Sequence, residues 1–262
     1  MYCVRPLFGT TLAKQKGFAE LWQTRVQNLY QLAAMPGKDT PNIVFPKIDL
    51  VGNIRTGKVM YYNHDGHRDK NRHPRWLHEV LKELLPPEWE LMQRGVSFGE
   101  HLLTLFPDKT VCYVEAEKTA VVCSLLWPNY LWLASGGEGF LNEDTVQVLT
   151  RRIVYFLPDA HSNWPDKLKQ YAHKFNVGGV NWKLINPEAY MPETLVQSKG
   201  DVADVVRMYA ACRNGIVPAE LPADVCESLV YMQHTITETL QYAHKIQDLK
   251  PYKEDELFRC WA

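Results

Sequence analysis

The sequence lacks the cysteine spacing of a structural zinc site, a strong net charge and a long apolar run. Its six cysteines include no C-x-x-C pair, which excludes a zinc finger and is typical of a protein in a reducing cytoplasm. With 29 Lys and Arg against 30 Asp and Glu, the net charge is −1, so nucleic-acid binding would need a local basic patch. The longest apolar stretch, 120–134, is broken by Pro128 and Asn129 and is shorter than the about 20 residues that cross a bilayer.

The N-terminus also lacks a basic-then-apolar leader pattern, and no internal repeat or low-complexity segment is present. We therefore expect a cytoplasmic protein that does not associate with a membrane. At 262 residues, 46% hydrophobic and 23% charged, the composition is that of a globular protein with one large domain or two small ones.

The N-terminal part predicts a helix followed by a small β-meander. Apolar residues recur at three- and four-residue steps over 11–35, which predicts a helix ended by a Pro-Gly pair. A short helix is predicted at 76–85. Between these helices, short apolar runs predict strands at 43–45, 48–51 and 59–62, with turns at 52–53 and 56–57.

The segment 47–75 is locally basic, with seven Lys and Arg against three acids. Tyr61, Tyr62 and Trp76 are interleaved with these cations, and such a pattern can follow a phosphate backbone and stack bases. A solvated β surface is the alternative interpretation. The candidate nucleic-acid-binding residues are Lys47, Arg55, Lys58, Arg68, Lys70, Arg72 and Arg75.

From residue 111 onward, strands alternate with helices. Four such units in succession predict a parallel sheet flanked by helices, because parallel strands need crossover connections. A helical tail is predicted over 217–262. The predicted strands are 111–114, 130–134, 153–157 and 180–185, and the predicted helices are 117–126, 142–149, 166–175 and 201–211.

Polar residues follow the first three of these strands. Glu115 follows the first strand, Gly136 and Gly137 follow the second, and Asp159 follows the third. Because the carboxyl ends of parallel strands meet at one edge of a sheet, two carboxylates and a glycine turn are expected together there. Such carboxylates can hold Mg²⁺ for phosphoryl chemistry, or they can simply cap the helices that follow.

The same segments resemble the Toprim domain, and in particular the core of bacterial primases and Toprim-containing proteins of bacterial mobile elements. The likeness extends over about residues 43–205. Residues 114–120 resemble the strand that ends in Glu, residues 135–137 the glycine turn, and residues 156–161 the Asp-x-Asp motif. Residues 199–204 are similar to the Lys-Asp-x-x-Asp stretch, and residues 44–52 to the β block upstream of the domain.

The sequence departs from the Toprim pattern at three positions. Ala116 replaces the usual Gly, Thr119 replaces the usual Asp, and His161 replaces the second Asp of Asp-x-Asp. Losing a carboxylate weakens a Mg²⁺ site, and an imidazole favours Mn²⁺ or Zn²⁺.

The resemblance implies roles for the site residues. Glu115, Lys118 and Asp159 are the expected catalytic residues, and Glu115, Asp159 and His161 are the expected ligands of Mg²⁺ or Mn²⁺. Supporting residues are Glu117, Asp201 and Asp204, and the phosphate-facing turn is Gly136 and Gly137. The expected domains are a helix and β-meander subdomain (1–105), a Toprim-like domain (106–212) and a helical cap (213–262).

Four other motifs are weaker. The run from Gly52 to Lys58 nearly matches a P-loop, but Val59 stands where Ser or Thr is required and a strand follows. The kinase-like motif at 67–69 lacks the Asn that should come after it. The pair at His64 and His67 fits a solvated turn better than a metal site. Glu100 and His101 can add a base or ligand, or can be partly buried at a helix start.

Three functional hypotheses follow. The first is a DNA-binding Toprim protein that performs metal-dependent phosphoryl or nucleotidyl transfer, of primase or nuclease type, in mobile-element replication, with replication or mobilisation proteins as further partners. The second is a catalytically degenerate module that binds DNA or a replication partner without metal. The third is an enzyme acting on small nucleotides at the same sheet edge.

Overall fold

Two four-stranded sheets carry the fold. The computed structural model describes residues 26–35, 42–63, 68–82, 95–177, 179, 181–189 and 191–205, all of which belong to the unit Met1–Val217. The predicted tail at 217–262 lies outside these residues, and the domain boundaries expected at 105/106 and 212/213 remain a prediction. Among the described residues, we find no helix with the length and apolar character that crossing a membrane requires.

The first sheet is antiparallel and has the order β1-β2-β3-β4. Asp49 shapes the turn between β2 and β3, because its Oδ1 accepts hydrogen bonds from the backbone N–H groups of Val51 and Asn53 at 3.1 and 2.9 Å. A short helix, α1 (Leu77–Val80), follows the last strand. The strands are β1 (Ala33–Met35), β2 (Asn42–Ile48), β3 (Ile54–Met60) and β4 (Arg75–Trp76).

Three predictions for this region were wrong in part. Residues 33–35 form β1 and not the end of a helix, because they pair with β2; residues 11–25 lie outside the described part of the chain. Residues 49–51 form the turn after β2 and do not extend the strand. Thr56 and Gly57 lie inside β3, opposite Lys47 and Pro46, and do not form a turn. A Cβ at Gly57 would lie 3.2 Å from the Leu77 side chain, so the glycine allows α1 to pack closely.

The second sheet is parallel, as predicted, and has the order β6-β5-β7-β8. Its apolar central strands are covered by helices. The strands are β5 (Val111–Val114), β6 (Leu131–Ala134), β7 (Val154–Leu157) and β8 (Trp182–Leu184). The helices are α2 (Leu102–Leu105), α3 (Glu117–Leu126), α4 (Glu143–Gln147), α5 (Trp164–Lys174) and α6 (Glu193–Gln197).

The helices of this half begin close to where the sequence predicts. Asn142 caps α4 as expected, since its side chain accepts a hydrogen bond from the N–H of Thr145. The helix expected at 166–175 begins two residues earlier, at Trp164. Two 3₁₀ segments, Glu138–Phe140 and Pro187–Ala189, and helix α6 were not predicted. Residues 202–205 are helical, and the rest of the helix expected at 201–211 lies outside the described residues.

One hydrophobic core joins the two sheets. Phe98 and Ala134 exchange backbone hydrogen bonds, which attaches the segment before α2 to the edge strand β6. The Phe98 ring packs edge-to-face on Phe45 of β2 and stacks on Tyr30, whose hydroxyl donates to the Trp132 carbonyl at 2.7 Å. The antiparallel sheet is therefore fixed against the strand whose end carries the glycine turn.

Candidate nucleic-acid and metal site

The parallel register brings the predicted site residues to one edge. Val114, the last residue of β5, is level with Ala134 of β6 and Leu157 of β7. Glu115, Ser135 and Pro158 are therefore the first residues beyond the sheet on three neighbouring strands. The expectation that the strand ends meet is confirmed by this register.

Glu115 and Asp159 lie side by side at this edge. The backbone N–H of Asp159 donates to Oε1 of Glu115 at 3.2 Å. Glu115 is buried, with 4% of its surface exposed. Oδ1 of Asp159 is also buried, and it has no hydrogen-bond partner among the described residues. A buried carboxylate oxygen without a partner is costly, so a bound cation or proton would stabilise it.

Asp159 is strongly perturbed by its surroundings. Burial raises the pKa of Asp159 to about 9, and the negative charges of Asp201, Glu115, Asp204 and Glu138 contribute to that rise. Two like charges close together cannot both ionise easily in a poorly solvated site. The carboxyl of Asp159 therefore holds a proton at neutral pH unless a cation replaces that proton.

Glu115 is perturbed in the same direction. Burial is the largest cause of its raised pKa, and the charges of Glu138 and Asp201 add to it. Hydrogen bonds from Ser162 and from the Asp159 N–H act in the opposite direction and favour the ionised form. Glu115 is thus held in place by donors on the segment after β7.

The supporting acids Asp201 and Asp204 are arranged at the start of the last described helix. Each accepts a hydrogen bond from the backbone N–H of the other, at 2.9 and 3.2 Å. Thr119 of α3 donates its hydroxyl to Oδ2 of Asp201 at 2.5 Å. Burial is the main cause of the raised pKa of Asp201, followed by the charge of Asp204. Thr119, which departs from the Toprim pattern, thus anchors one of the carboxylates that repel Asp159.

The glycine turn after β6 is held by two lysines from the antiparallel sheet. Lys47 donates to the Ser135 carbonyl at 2.7 Å, and Lys58 donates to the Gly136 carbonyl at 2.6 Å. Lys58 also lies 3.4 Å from Oε2 of buried Glu117. Gly136 has φ +99°, and a Cβ there would lie 3.0 Å from both Glu117 Oε1 and Lys47 Nζ. Glycine is required both by the backbone conformation and by this close approach.

Lys47 is not on an exposed surface. It is 4% exposed because β2 is covered on both faces. Burial lowers the pKa of Lys47 to about 8, with Lys58 lowering it further and Glu117 opposing the shift. Of the seven cations proposed from sequence to bind nucleic acid, Lys47 and Lys58 therefore contact the glycine turn and its surroundings.

Of the other five cations, Arg55 lies in β3 and Arg75 in β4, and the remaining three lie between these strands. Arg55 pairs with Asp49 at 2.6 Å, and Arg72 pairs with Asp69 at 2.7 Å. The Arg72 guanidinium also lies over the Tyr61 ring, 4.4 Å from its centroid. The exposed members are Arg68, Lys70 and Arg75.

Tyr62, by contrast, is buried, with 3% of its surface exposed. It therefore contributes no accessible ring face of the kind that base stacking needs. Lys118 lies over its ring, with Nζ 5.4 Å from the centroid. The positive charge of Lys118 also favours ionisation of Asp201. Lys118 is thus placed near the carboxylates.

Two further sequence expectations concern histidines. His161 is exposed and has a left-handed backbone, with φ +64°. His101 is 7% exposed, and its Nε2 donates to the Leu29 carbonyl at 3.0 Å. Its neighbour Glu100 accepts from the Ser97 N–H at 2.9 Å, and burial raises the pKa of Glu100 to about 7. Glu100 and His101 thus have structural hydrogen bonds at the start of α2.

Sequence reasoning missed Glu138 and Ser162. Glu138 follows the glycine turn directly, and its carboxylate accepts from the N–H of Asn163 at 2.7 Å. Its charge raises the pKa of both Glu115 and Asp159. The signal was available, because an acid directly beyond a predicted glycine turn belongs to the same sheet edge.

The residues fit a cation that takes few protein ligands. Within the described ranges, no group of three or more His, Cys, Asp or Glu side chains could enclose a metal ion. Electrostatic repulsion acts over longer distances than metal–oxygen bonds. The four carboxylates can therefore raise the pKa of Asp159 without lying close enough together to enclose a metal ion. Mg²⁺ is commonly held by one or two carboxylates together with waters and substrate phosphates. Glu115 and the unpartnered oxygen of Asp159 match that requirement.

The sequence also matches a described family. Over residues 8–160 it matches the family described as "Domain of unknown function (DUF6371)". The chain belongs to this family. The DUF6371 match includes the antiparallel sheet and both Glu115 and Asp159, whereas Asp201 and Asp204 lie beyond it. A search of curated proteins found no match.

Several solved primase structures are similar to this DUF6371 chain. The primase fragment of the bacteriophage T7 primase-helicase is 15% identical with a TM-score of 0.43, over 72% of this chain and 65% of the fragment. The E. coli primase catalytic core is 15% identical with a TM-score of 0.42, over 88% of this chain and 80% of the core. The zinc-binding and RNA polymerase domains of Aquifex aeolicus primase are 13% identical with a TM-score of 0.40, over 92% and 69%. The chain thus spans less than two thirds of the phage fragment.

Proposed function

We propose that this chain is a Toprim-type nucleic-acid-binding protein that performs metal-dependent phosphoryl or nucleotidyl transfer, of primase or nuclease type, in mobile-element DNA replication. The observation that carries the proposal is the state of Asp159. Its buried Oδ1 lacks a partner within the described part of the chain, and four neighbouring carboxylates help to raise its pKa to about 9. Strongly perturbed groups of this kind cluster at functional sites.

Each residue of the edge has a proposed role. Glu115 and Asp159 would hold Mg²⁺ or Mn²⁺, and exposed His161, two residues after Asp159, is the proposed further ligand. When bound there, such an ion would act as a Lewis acid that polarises a phosphoryl oxygen and activates a nucleophile. Burial raises the pKa of Glu115, which favours a role for this carboxyl group as a general acid or base. Lys118 neutralises phosphate charge.

Strand β4 and residues 68–72, which precede it, supply the proposed nucleic-acid contacts. Exposed Arg68, Lys70 and Arg75 would pair with backbone phosphates, and Arg72 would do so from its position over Tyr61. DNA is the proposed polymer, and replication or mobilisation proteins are proposed partners. Arg55 contributes by fixing the hairpin through Asp49.

The proposal is tested with labelled single-stranded DNA, nucleoside triphosphates and Mg²⁺ or Mn²⁺. Wild-type protein should cleave or extend the strand, and Glu115→Gln should abolish this activity, because it removes the charge with little change in volume. Asp108→Asn is the control, because Asp108 is exposed and precedes β5, at the opposite end of that strand from Glu115, and this variant should keep full activity. Full activity in Glu115→Gln would contradict the site assignment.

A second candidate is a catalytically degenerate module that binds DNA or a replication partner without metal. The exposure of His161, together with the lack of a three-ligand group in the described ranges, favours it. DNA binding that is unchanged by EDTA, in a protein that neither cleaves nor extends DNA, would support this candidate over the first.

A further inference from the structure

An exposed aromatic ring stands beside the glycine turn. Phe140, at the end of the 3₁₀ segment after β6, is 42% exposed. Half-buried Trp76 of β4 packs edge-to-face against it, with the ring centroids 5.5 Å apart and an interplanar angle of 71°. Trp76 in turn stacks on His78 at 6.1 Å. Trp76 of the antiparallel sheet therefore supports the Phe140 ring, which lies on the segment that follows strand β6 of the parallel sheet.

The Lys47 ammonium group contacts both the Phe140 ring and the Trp76 ring. Its Nζ lies 5.3 Å from the Phe140 centroid and 5.9 Å from the Trp76 centroid, while it donates to the Ser135 carbonyl. A desolvated cation over an aromatic face attracts the ring through the ring's quadrupole. Phe140 is thus held in a defined orientation, although much of its surface faces solvent.

The space beside Gly139, the residue before Phe140, is open. A Cβ built at Gly139 would meet no described atom within 4 Å, and one at Gly137 would meet only the Phe140 ring, at 3.7 Å. Glu138, two residues before Phe140, is one of the acids whose charge acts on Asp159. Phe140 is therefore a partly exposed ring on the same short segment as a carboxylate that acts on the Glu115–Asp159 edge.

We infer that Phe140, backed by Trp76, is a stacking platform for a nucleobase of a single-stranded nucleic acid whose phosphate is held at the Glu115–Asp159 edge. This inference rests on the proposed function, since it names where the substrate base lies. Every base has a flat π face, and stacking on an aromatic side chain is tolerant of sequence. A held, half-exposed ring beside a phosphate-chemistry site fits that ligand.

The test measures binding of two fluorescent strands by anisotropy at fixed salt, with Mn²⁺ present. One strand is a short thymidine oligonucleotide, and the other has the same backbone with abasic sites. Phe140→Leu keeps apolar volume but removes the π face, so it should weaken binding of the thymidine strand about tenfold. Binding of the abasic strand should be unchanged, because it depends on phosphate contacts.

Tyr130→Leu is the matched control. Tyr130 is 39% exposed but precedes β6, at the opposite end of that strand from the site. The Tyr130→Leu variant should bind both the thymidine strand and the abasic strand as tightly as the wild type does. Equal binding of the thymidine strand by Phe140→Leu and wild type, as expected of a surface for a protein partner, would overturn the platform alone. Wild-type protein that binds neither strand would overturn the platform together with the proposed function.

Discussion

Replacing Asp159 by asparagine removes a carboxyl group that ionises only at a cost in the folded protein. The pKa of this group rises from 3.8 to about 9 on folding, because of burial and neighbouring negative charge. Between these two values, the folded state binds one proton that the unfolded state has released. The unfolding free energy of the metal-free protein must therefore fall as pH rises through this window.

The slope of unfolding free energy against pH sets how much stability Asp159 costs the metal-free protein. One bound proton changes the unfolding free energy by about 1.4 kcal/mol per pH unit. From pH 5 to pH 8, Asp159 should therefore cost the metal-free wild type up to about 4 kcal/mol. The amide of Asp159→Asn cannot ionise and resembles the protonated acid in shape, so the variant should lack this part of the slope. Carboxylates that do not interact with Asp159 contribute equally to both proteins and cancel in the comparison.

The assay is urea unfolding followed by circular dichroism in EDTA at several pH values. We expect the curves of wild type and Asp159→Asn to converge only below about pH 4 and to separate steadily as pH rises from 5 to 8, with the variant more stable. Asp166→Asn, at a carboxylate that is 85% exposed, is the control and should follow the wild type. Parallel curves for wild type and Asp159→Asn from pH 5 to pH 8 would refute the reasoning.

Three further predictions follow from the site geometry. Gly136→Ala should lose about 1–3 kcal/mol of stability in urea, whereas Gly139→Ala should be nearly neutral, because Gly136 has a left-handed backbone and close neighbours and Gly139 has neither. Lys58→Met should cost about 1–3 kcal/mol, because it removes the ion-pair partner of the buried Glu117 carboxylate and leaves only the longer-range attraction of Lys47. Adding Glu117→Gln should recover part of that loss; no recovery in this double variant would contradict the ion pair. Metal binding by wild type at pH 7.5 should release about one proton, measured by calorimetry in buffers of different ionisation enthalpy.

The parallel half of the fold was predictable because its signals are local. Val111–Val114 and Val154–Leu157 are short apolar runs that end in a carboxylate or a Pro-Asp pair, and each is followed by a helix. Asn142 is a residue type that favours the N-cap position, and its side chain caps α4 as the sequence predicts. Once strands and helices alternate, the meeting of Glu115 and Asp159 at one edge follows from parallel pairing.

The rest depends on contacts between segments that are distant in sequence. The helical spacing that leads into Ala33–Met35 is real, but pairing with β2 overrides it. The burial of Lys47 depends on the Ser135 carbonyl, 88 residues away. The perturbation of Asp159 depends on Asp201, which helix α6 and the segment after it bring back to the sheet edge. Local spacing carries no information on such contacts.

The central claim is a cation site at Glu115 and Asp159, and calorimetric titration of Mn²⁺ and Mg²⁺ tests it most directly. Wild type and the exposed control Asp166→Asn should bind metal at pH 7.5, and binding should disappear in Asp159→Asn, because the amide cannot supply the charge that the ion neutralises. Equal metal binding by wild type and Asp159→Asn, or none by the wild type even with an oligonucleotide present, would contradict the account.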